Sequence, residues 1–285
     1  MAKIFSMRLQ TFFILTIMSI SSSTRIQCKY EVKSFYFFGD KYRCNIINDP
    51  KMNSHESAII TSAHGDHEDT KTNSDVLGLF SESESIEYFP KNAEKIFNNL
   101  EAISLNFCPL KEIFQSDLKS LSKLTYLLIG RSDIEVIEEG LFNYNPNLEY
   151  LIFDGSKLIH IDPNVFDNLS RLKLLYFYAV PCSGQLRSEY DYEIKIAIQR
   201  FRAECVNLEY LELNDQLEEL KNQSLRLNVE DFNEKLGKFE VSFNNSKFSK
   251  FRPLKNKFEN LKNIATVKEH PKLSLVILLA FYKLF

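Results

Sequence analysis

The fold is decided by three consecutive segments that share one spacing of apolar residues: LEAISLNFCPLKEI (100–113), LTYLLIGRSDIEVI (124–137) and LEYLIFDGSKLIHI (148–161). Each segment begins 24 residues after the previous one, and a shorter copy begins at Leu172. A fainter copy precedes them, with apolar residues at Val76, Leu79, Ile86 and Phe89. This fixed period predicts stacked repeats, because one copy cannot bury its apolar side alone.

In each copy the L-x-L centre predicts a short strand whose alternate residues point to opposite faces. The pattern L-x-x-L-x-L-x-x-N/C-x-L and its period, within the range of about 20–29 residues, are those of leucine-rich repeats. The sequence therefore resembles extracellular leucine-rich-repeat proteins. The resemblance implies an α/β solenoid, namely a leucine-rich-repeat horseshoe with disulfide caps at both ends, to which the C-terminal pattern adds a helical extension.

The position that usually carries Asn holds Cys108, Ser132 and Ser156 in successive repeats. A serine hydroxyl makes only part of the hydrogen bonding that an Asn amide makes. We therefore expect a weaker polar ladder at this position than in an Asn-rich horseshoe.

The N-terminus predicts secretion. Lys3 and Arg8 precede the apolar run 11–20, and three serines follow it. These are the charged region, apolar region and cleavage site of a signal peptide over 1–23. The alternative, a membrane anchor, is disfavoured because the run is too short to cross about 30 Å of bilayer. Residues 24–75 follow as an N-terminal cap, in which alternating residues predict a hairpin that turns at Gly39-Asp40.

Five cysteines are present, so at least one has no partner within the chain. In the families that the sequence resembles, disulfides tie the capping segments, which implies the pairs Cys28–Cys44 and Cys182–Cys205. Cys108 lies on the repeat ladder and is expected to be a buried thiol. The alternative that Cys108 bridges to another chain stays open at this point.

After the repeats (76–181), residues 182–205 form the C-terminal cap, where Ile194, Ile198 and Phe201 share one face of a helix. Residues 206–250 carry a heptad-like apolar stripe that predicts a long amphipathic, coiled-coil-like helix. The rival interpretation is a pair of irregular repeats, because LEYLEL (208–213) also matches the repeat core. The stripe would either pack back on the solenoid or support a homo- or heterodimer.

Residues 251–285 end in an apolar run (273–285) that is too short for a transmembrane helix. We expect it to dock on the fold; the alternative is the tail of a glycolipid-anchor signal, which is the one condition under which we expect a membrane partner. Three glycosylation sequons, at Asn168, Asn222 and Asn244, are expected to be exposed.

The outward strand positions predict the candidate site. Aromatic and aliphatic residues at these positions should form one exposed patch on the concave face, and such patches mark interaction sites. The predicted ligand-binding residues, with the polar residues that flank them, are Tyr126, Leu128, Arg131, Tyr150, Ile152, Asp154, Leu174, Tyr176 and Tyr178. The alternative is that the C-terminal tail of the chain covers this patch.

Within that family the chain looks similar to insect extracellular proteins, including the mosquito immune group with a signal peptide, repeats, a cysteine cap and a coiled-coil tail. This chain departs from that group in its shorter length and its single paired cap after the repeats. The wider family implies recognition of an extracellular protein ligand, in innate immunity, cell adhesion or a receptor ectodomain. It does not transfer a particular ligand.

Other classes find little support. The formal net charge of −3 does not favour a nucleic-acid partner. No phosphate loop, nucleophile elbow or H-E-x-x-H motif occurs, so we expect neither an enzyme nor a cofactor. HGDHED (64–69) is read as a solvated loop rather than a metal site, because further ligands do not stand nearby in sequence. His160 is placed at an outward-facing position of its repeat.

Overall fold

The computed structural model describes residues 24–182, 184–246 and 252–269. The predicted signal peptide (1–23) and the apolar C-terminal run (273–285) lie outside these residues, so their interpretation stays a prediction.

Eleven strands and six helices are found in the described ranges. The strands are β1 (Thr24–Phe35), β2 (Gly39–Ile46), β3 (Ile60–His64), β4 (Gly78–Ser81), β5 (Ala102–Leu105), β6 (Tyr126–Gly130), β7 (Val136–Ile137), β8 (Tyr150–Asp154), β9 (His160–Ile161), β10 (Leu174–Val180) and β11 (Gly184–Ser188). The helices are α1 (Ala93–Ile96), α2 (Gln115–Leu118), α3 (Asp191–Glu204), α4 (Leu208–Gln223), α5 (Val229–Asn245) and α6 (Arg252–Glu269).

One sheet organises the molecule, in the strand order β11-β10-β8-β6-β5-β4-β2-β1-β3. The five repeat strands β4, β5, β6, β8 and β10 are parallel, and each residue pairs with the residue 24 positions later. Leu79, Ile103, Leu127, Leu151 and Leu175 form one such row, and all are fully buried. The predicted fold class, a leucine-rich-repeat solenoid with caps and helical extension, is confirmed, and the faint first repeat belongs to the stack.

Polar groups connect neighbouring repeats. The buried Asn145 side chain donates hydrogen bonds to the carbonyls of Leu118 and Leu121 at 3.0 and 2.9 Å, in the preceding repeat. At the expected ladder position, Ser132 and Ser156 are buried, and their hydroxyls lack hydrogen-bond partners within the described residues. The Asn145 amide, in the turn after β7, thus makes the hydrogen bonds between repeats that the serines do not make.

Both predicted disulfides are present. Cys28–Cys44 joins β1 to β2, and Cys182–Cys205 joins the end of β10 to the end of α3. The Cys108 thiol is free and buried, and burial raises its pKa to about 11. A bridge from Cys108 to another chain would therefore require the repeat to open. On α3, Ile194 and Phe201 are buried and Ile198 is half-buried, as the helical spacing predicts.

The structure corrects two expectations for residues 206–250. The segment LEYLEL lies in a helix, so the irregular-repeat interpretation is wrong. The long helix is also wrong, because the chain breaks between α4 and α5. The Asn228 side chain caps α5 by accepting a hydrogen bond from the Asp231 N–H at 2.9 Å, which favours a new helix start there.

The three C-terminal helices bury their apolar stripes against one another. The buried cluster contains Leu213, Leu217 and Leu220 of α4, Phe232, Leu236, Phe239 and Phe243 of α5, and Leu254, Phe258 and Leu261 of α6. Val136 of the solenoid belongs to the same cluster, so the helices pack against the side of the repeats that carries β7 and β9. The apolar stripe is therefore buried by contacts within the chain.

Hydrogen bonds fix this packing. The Tyr210 hydroxyl donates to Glu138 at 2.9 Å, and the Lys257 ammonium donates to the same carboxylate at 2.8 Å. His160 faces away from the leucine core, as expected, but it is covered by the helices, since its ring is 1% exposed and lies 4.5 Å from the Tyr210 ring. Its Nδ1 accepts a hydrogen bond from the Asn207 N–H, and burial lowers its pKa to about 4. In the described ranges no helix is long and apolar enough to cross a membrane.

Candidate functional site

The outward positions of the repeat strands form two rows across the sheet. The third repeat position gives Gly78, Ala102, Tyr126, Tyr150 and Leu174, and the fifth gives Phe80, Ser104, Leu128, Ile152 and Tyr176. Both rows lie on the face opposite the leucine core, here called the concave face. The structure therefore brings the predicted strand residues together as neighbours, as the repeat register requires.

The predicted exposure is wrong for three residues of this patch. Tyr126, Ile152 and Leu174 are 1%, 1% and 2% exposed. Among the described residues, the cover is the turn of the N-terminal hairpin, residues 35–39, here called the hairpin tip. The described part of the C-terminal tail packs elsewhere, because α4, α5 and α6 lie against the side of the repeats that carries β7 and β9. The Phe38 ring lies 5.5 Å from the Tyr126 ring and 5.3 Å from the Tyr150 ring, between centroids.

Small residues on the concave face leave room for the hairpin to cross the sheet. Phe35 is 2% exposed and lies edge-on to Tyr126, at 5.4 Å between ring centroids. A Cβ on Gly78 would lie only 2.4 Å from the Phe35 ring. The third position therefore holds glycine and then alanine where the hairpin passes over, and tyrosine where its tip ends.

The base of the hairpin is anchored by a buried cation. The Arg43 guanidinium lies 4.2 Å from the Phe80 ring centroid and 5.5 Å from that of Phe35. It also donates to the Glu31 carboxylate at 3.1 Å. Lys29 first and Arg43 second lower the pKa of Glu31 through hydrogen bonds, so this ion pair persists at neutral pH.

An exposed aromatic cluster remains where the hairpin tip meets the last repeat. Tyr36 and Tyr178 are 62% and 43% exposed, and Tyr176 stacks against Tyr178 at 6.2 Å between centroids. The Arg187 guanidinium of β11 lies 4.9 Å from the Phe37 ring. We call Tyr36, Phe37, Tyr176, Tyr178 and Arg187 the composite surface, because the turn between β1 and β2 and the strands β10 and β11 contribute to it.

The charges of this region favour binding rather than proton transfer. Burial raises the pKa of Tyr126 well above its usual range. Burial, and then the nearby Asp154 carboxylate, raises the pKa of Tyr176 as well. Both phenols therefore stay neutral at physiological pH, and they offer aromatic area with a polar end, which suits protein interfaces.

The remaining predicted residues flank the strands. Arg131 is exposed and its guanidinium lies 4.1 Å from the Phe107 ring, while Asp154, Leu128 and Tyr150 are half-buried. Arg131 has a left-handed backbone (φ 50°), as do Phe107, Gly155 and Ala179 at the same repeat position. Since three of these four residues carry a side chain, the turn after each strand imposes this conformation at some cost in strain.

Sequence reasoning missed a charged cluster on the flank of the solenoid. His55 Nε2 lies 2.9 Å from the buried Glu112 carboxylate, and Lys91 lies 3.2 Å from buried Asp117. Burial raises the pKa of Asp117, which Lys91 opposes. The first pair joins the N-terminal cap region to the repeats, and the second joins two neighbouring repeats. They were invisible in the sequence because their members are up to 57 residues apart.

The histidine-rich loop is used structurally. His67 stacks on Tyr30 at 3.7 Å, its Nδ1 bonds the Tyr42 hydroxyl and its Nε2 bonds Asn73. Among the described residues, no group of three His, Cys, Asp or Glu side chains is placed to hold a metal ion. The sequon residues Asn168, Asn222 and Asn244 are exposed, and their glycosylation stays a prediction.

Comparison with known proteins supports the repeats. A family model described as "Leucine rich repeat" matches residues 122–177, which contain β6 and β8 and the start of β10. The match supports the leucine-rich-repeat character of the solenoid over these residues. No curated protein matches the sequence.

Solved structures show the same kind of likeness. The structure titled "Crystal structure of TLR13-ssRNA13 complex" is similar at 23% identity with a TM-score of 0.31. The similarity covers 34% of this chain and 14% of that one, so this chain spans a small part of that protein. At this TM-score the likeness carries no argument about function.

Proposed function

We propose that this chain is a secreted protein that recognises an extracellular protein partner, with the composite surface as its primary contact. Repeat solenoids use their extended concave surface for binding. The observation that carries the proposal is the cluster of exposed Tyr36, Phe37, Tyr178 and Arg187 around half-buried Tyr176, since Tyr and Arg are enriched among the residues that dominate binding energy.

The nine residues predicted from the sequence differ in how accessible they are to a partner. Arg131 and Tyr178 are exposed, and Leu128, Tyr150, Asp154 and Tyr176 are half-buried, so these six are open to a partner. Tyr126, Ile152 and Leu174 lie beneath the hairpin tip and contribute only when it moves. A polar rim around a partly covered aromatic centre is the usual anatomy of a protein interface.

Secretion is supported by the signal-peptide pattern and by two disulfides, which persist in oxidising compartments. Innate immunity and cell adhesion are the settings that the resemblance favours. A surface receptor with a glycolipid anchor is the alternative. A dimer through the C-terminal helices would need a surface other than the buried stripe, and Leu225 and Val241 are exposed apolar side chains there.

The experiment is an affinity capture with the secreted, mature protein as bait, read by mass spectrometry. Tyr178→Ala/Arg187→Ala should lose a partner that the native protein captures. Tyr144→Ala is the matched control, because Tyr144 is equally exposed (43%) but lies outside the concave face. Thermal midpoints should agree within a few degrees. A partner that the double variant captures as well as the native protein does would contradict the proposal.

A further inference from the structure

The hairpin consists of two parts that are attached to the protein in different ways. Its base is held by the Cys28–Cys44 disulfide, by the buried Arg43 and by pairing of β2 with β4. That pairing covers only residues 43–45 of β2. Beyond it, residues 33–41 continue over the concave face as a free-standing two-stranded ribbon, here called the strap.

The strap is held on the repeats by side chains. Phe35 and Phe38 contact Tyr126 and Tyr150, and Lys41 lies 3.8 Å from Glu101. Within the described ranges, no backbone hydrogen bond joins the strap to a repeat. Lifting it would therefore break aromatic contacts, the cation–π contacts of Phe35 and Phe37 with Arg43 and Arg187, and one long ion pair, while the disulfide and the ladder at the base stay intact. Such segments open at a lower free energy than the whole fold.

The surface beneath the strap is built as a binding surface rather than as core. Ala102, Tyr126, Ile152 and Leu174 of the repeats form a buried cluster with Phe35 of the strap, separate from the leucine core on the other face of the sheet. The half-buried Leu128, Tyr150 and Tyr176 extend this cluster towards the composite surface. With the strap lifted, the repeat residues of the cluster would make one contiguous aromatic and aliphatic face, which marks an interaction site.

We propose that the strap is a built-in occupant of the concave face, which swings out about the disulfide-tied base to admit a protein segment of the same chemistry. That segment is a turn carrying closely spaced aromatic side chains, as Phe35, Tyr36 and Phe38 are carried here. This inference rests on the proposed function, whose partner class it specifies. The strap supports this choice of partner, because its own side chains show which groups fit the sites beside Gly78 and Tyr126. These sites, which Phe35 and Phe38 occupy, are called the seats.

The consequence is a quantitative competition. The apparent dissociation constant of a partner equals its intrinsic value divided by the fraction of molecules with the strap open. If about one molecule in a hundred is open, unseating the strap tightens binding about 100-fold. A substitution that fills the Phe35 seat weakens partner binding whether the strap is present or not.

The first test needs no partner. Tyrosine nitration of the native protein, followed by peptide mass spectrometry, compares Tyr126 with Tyr210, which is similarly buried at 2% but lies under the C-terminal helices. We expect Tyr126 to react at least tenfold faster in water, with a shallow dependence on urea, because the strap exposes little surface when it opens. Equal rates for both tyrosines at every urea concentration would overturn the strap.

The second test addresses the chemistry of the partner. The probe is a cyclised peptide of residues 33–41 (KSFYFFGDK). It should bind Phe35→Ser/Phe38→Ser, whose seats are vacant, at least tenfold more tightly than it binds the native protein. Adding Gly78→Leu, which fills the Phe35 seat, should remove this binding. A peptide with both seat phenylalanines replaced by alanine should bind neither protein.

Equal or absent binding in both proteins would overturn the partner class, provided that the thermal midpoint shows the variant to be folded. If that variant does not fold, the nitration of the native protein still decides whether the strap opens. Failure of the proposed function is distinct, because it appears as a captured partner that ignores Tyr178 and Arg187.

Discussion

The two disulfide caps close the solenoid in different ways. At the C-terminal end, α3 lays Phe201 against the core, 4.5 Å from the Phe177 ring, and the disulfide ties both ends of the cap. At the N-terminal end, the hairpin joins the sheet at its base and sends its tip across the concave face. One cap is thus part of the core throughout, whereas the other combines a fixed base with a strap held by side chains.

This difference shows that a disulfide fixes the two residues that it joins. It does not hold the whole segment between them against the rest of the protein. Cys28–Cys44 closes a segment of 16 residues, and the strap lies wholly inside it. The pairing β1–β2 keeps the strap's own shape, so it can lift as one piece. The two caps should therefore differ in how much each contributes to the stability of the fold.

The largest expected effect is in the C-terminal cap. Phe201→Ala should lower the free energy of unfolding by about 3–5 kcal/mol, because it leaves a cavity among aromatic rings. Phe38→Ala should cost clearly less, since its ring is only half-buried. Urea unfolding measures both. Ile196→Ala, at a 60% exposed position of the same helix, is the control and should change little. Equal losses for Phe38 and Phe201 would erase the contrast between the caps.

Removal of each disulfide should cost about 3 kcal/mol, because the closed segments of 16 and 23 residues differ little in loop entropy. Only Cys28→Ala/Cys44→Ala should also speed nitration of Tyr126 beyond that of Tyr210, since it releases the strap's base. The same selective increase in Cys182→Ala/Cys205→Ala would contradict the assignment of the strap to the N-terminal cap.

Acid should destabilise the junction between repeats and helices. The His160 pKa is about 4 in the fold, below its unfolded value near 6.5, so the unfolded chain binds the proton more readily between these values. Stability from this group is complete above about pH 6.5 and is lost as the pH falls towards 4, by up to roughly 3 kcal/mol.

Unfolding free energies measured from pH 7 to 4 test this effect of His160. His160→Gln should flatten the curve relative to the native protein. His64→Gln, at an exposed position, should leave the curve unchanged. An unaltered slope in His160→Gln would show that other groups dominate.

The smallest effect concerns the left-handed turns. Ala179→Gly should stabilise the protein by about 0.5–1 kcal/mol, because glycine adopts the φ of 51° without strain. Gly155→Ala, at the equivalent position of the preceding repeat, should destabilise it by a similar amount. Thermal unfolding of the pair gives the sign directly. Destabilisation by Ala179→Gly would mean that the Ala179 methyl group matters more than backbone strain.

The repeats could be predicted because a period of 24 residues fixes both the strand register and the core face. Alternation along 28–50 likewise predicts the hairpin. It does not say where the tip goes, because that depends on contacts with residues about 90 or more positions later. Two signals were present: a run of aromatic residues, Phe35 to Phe38, where a polar turn is usual, and glycine and alanine at the first two outward positions.

For the helical extension, the sequence pattern predicts the type of structure but not where each helix ends. The heptad-like stripe correctly indicates helices, but periodicity alone does not report a break between them. Asn228, followed three residues later by Asp231, is a helix-start signal that accounts for the break. The pairing of Tyr210 with Glu138 arises only from the tertiary fold, so it had no signature in the sequence.

The central claim is that the hairpin tip lies on the concave face, and aromatic nuclear Overhauser effects test it most directly. In protein with labelled phenylalanine and tyrosine rings, Phe38 should show cross-peaks to both Tyr126 and Tyr150, whose centroids lie 5.5 and 5.3 Å away. Tip rings that contact only residues of β1 and β2, together with a solvent-exposed Tyr126, would contradict the account.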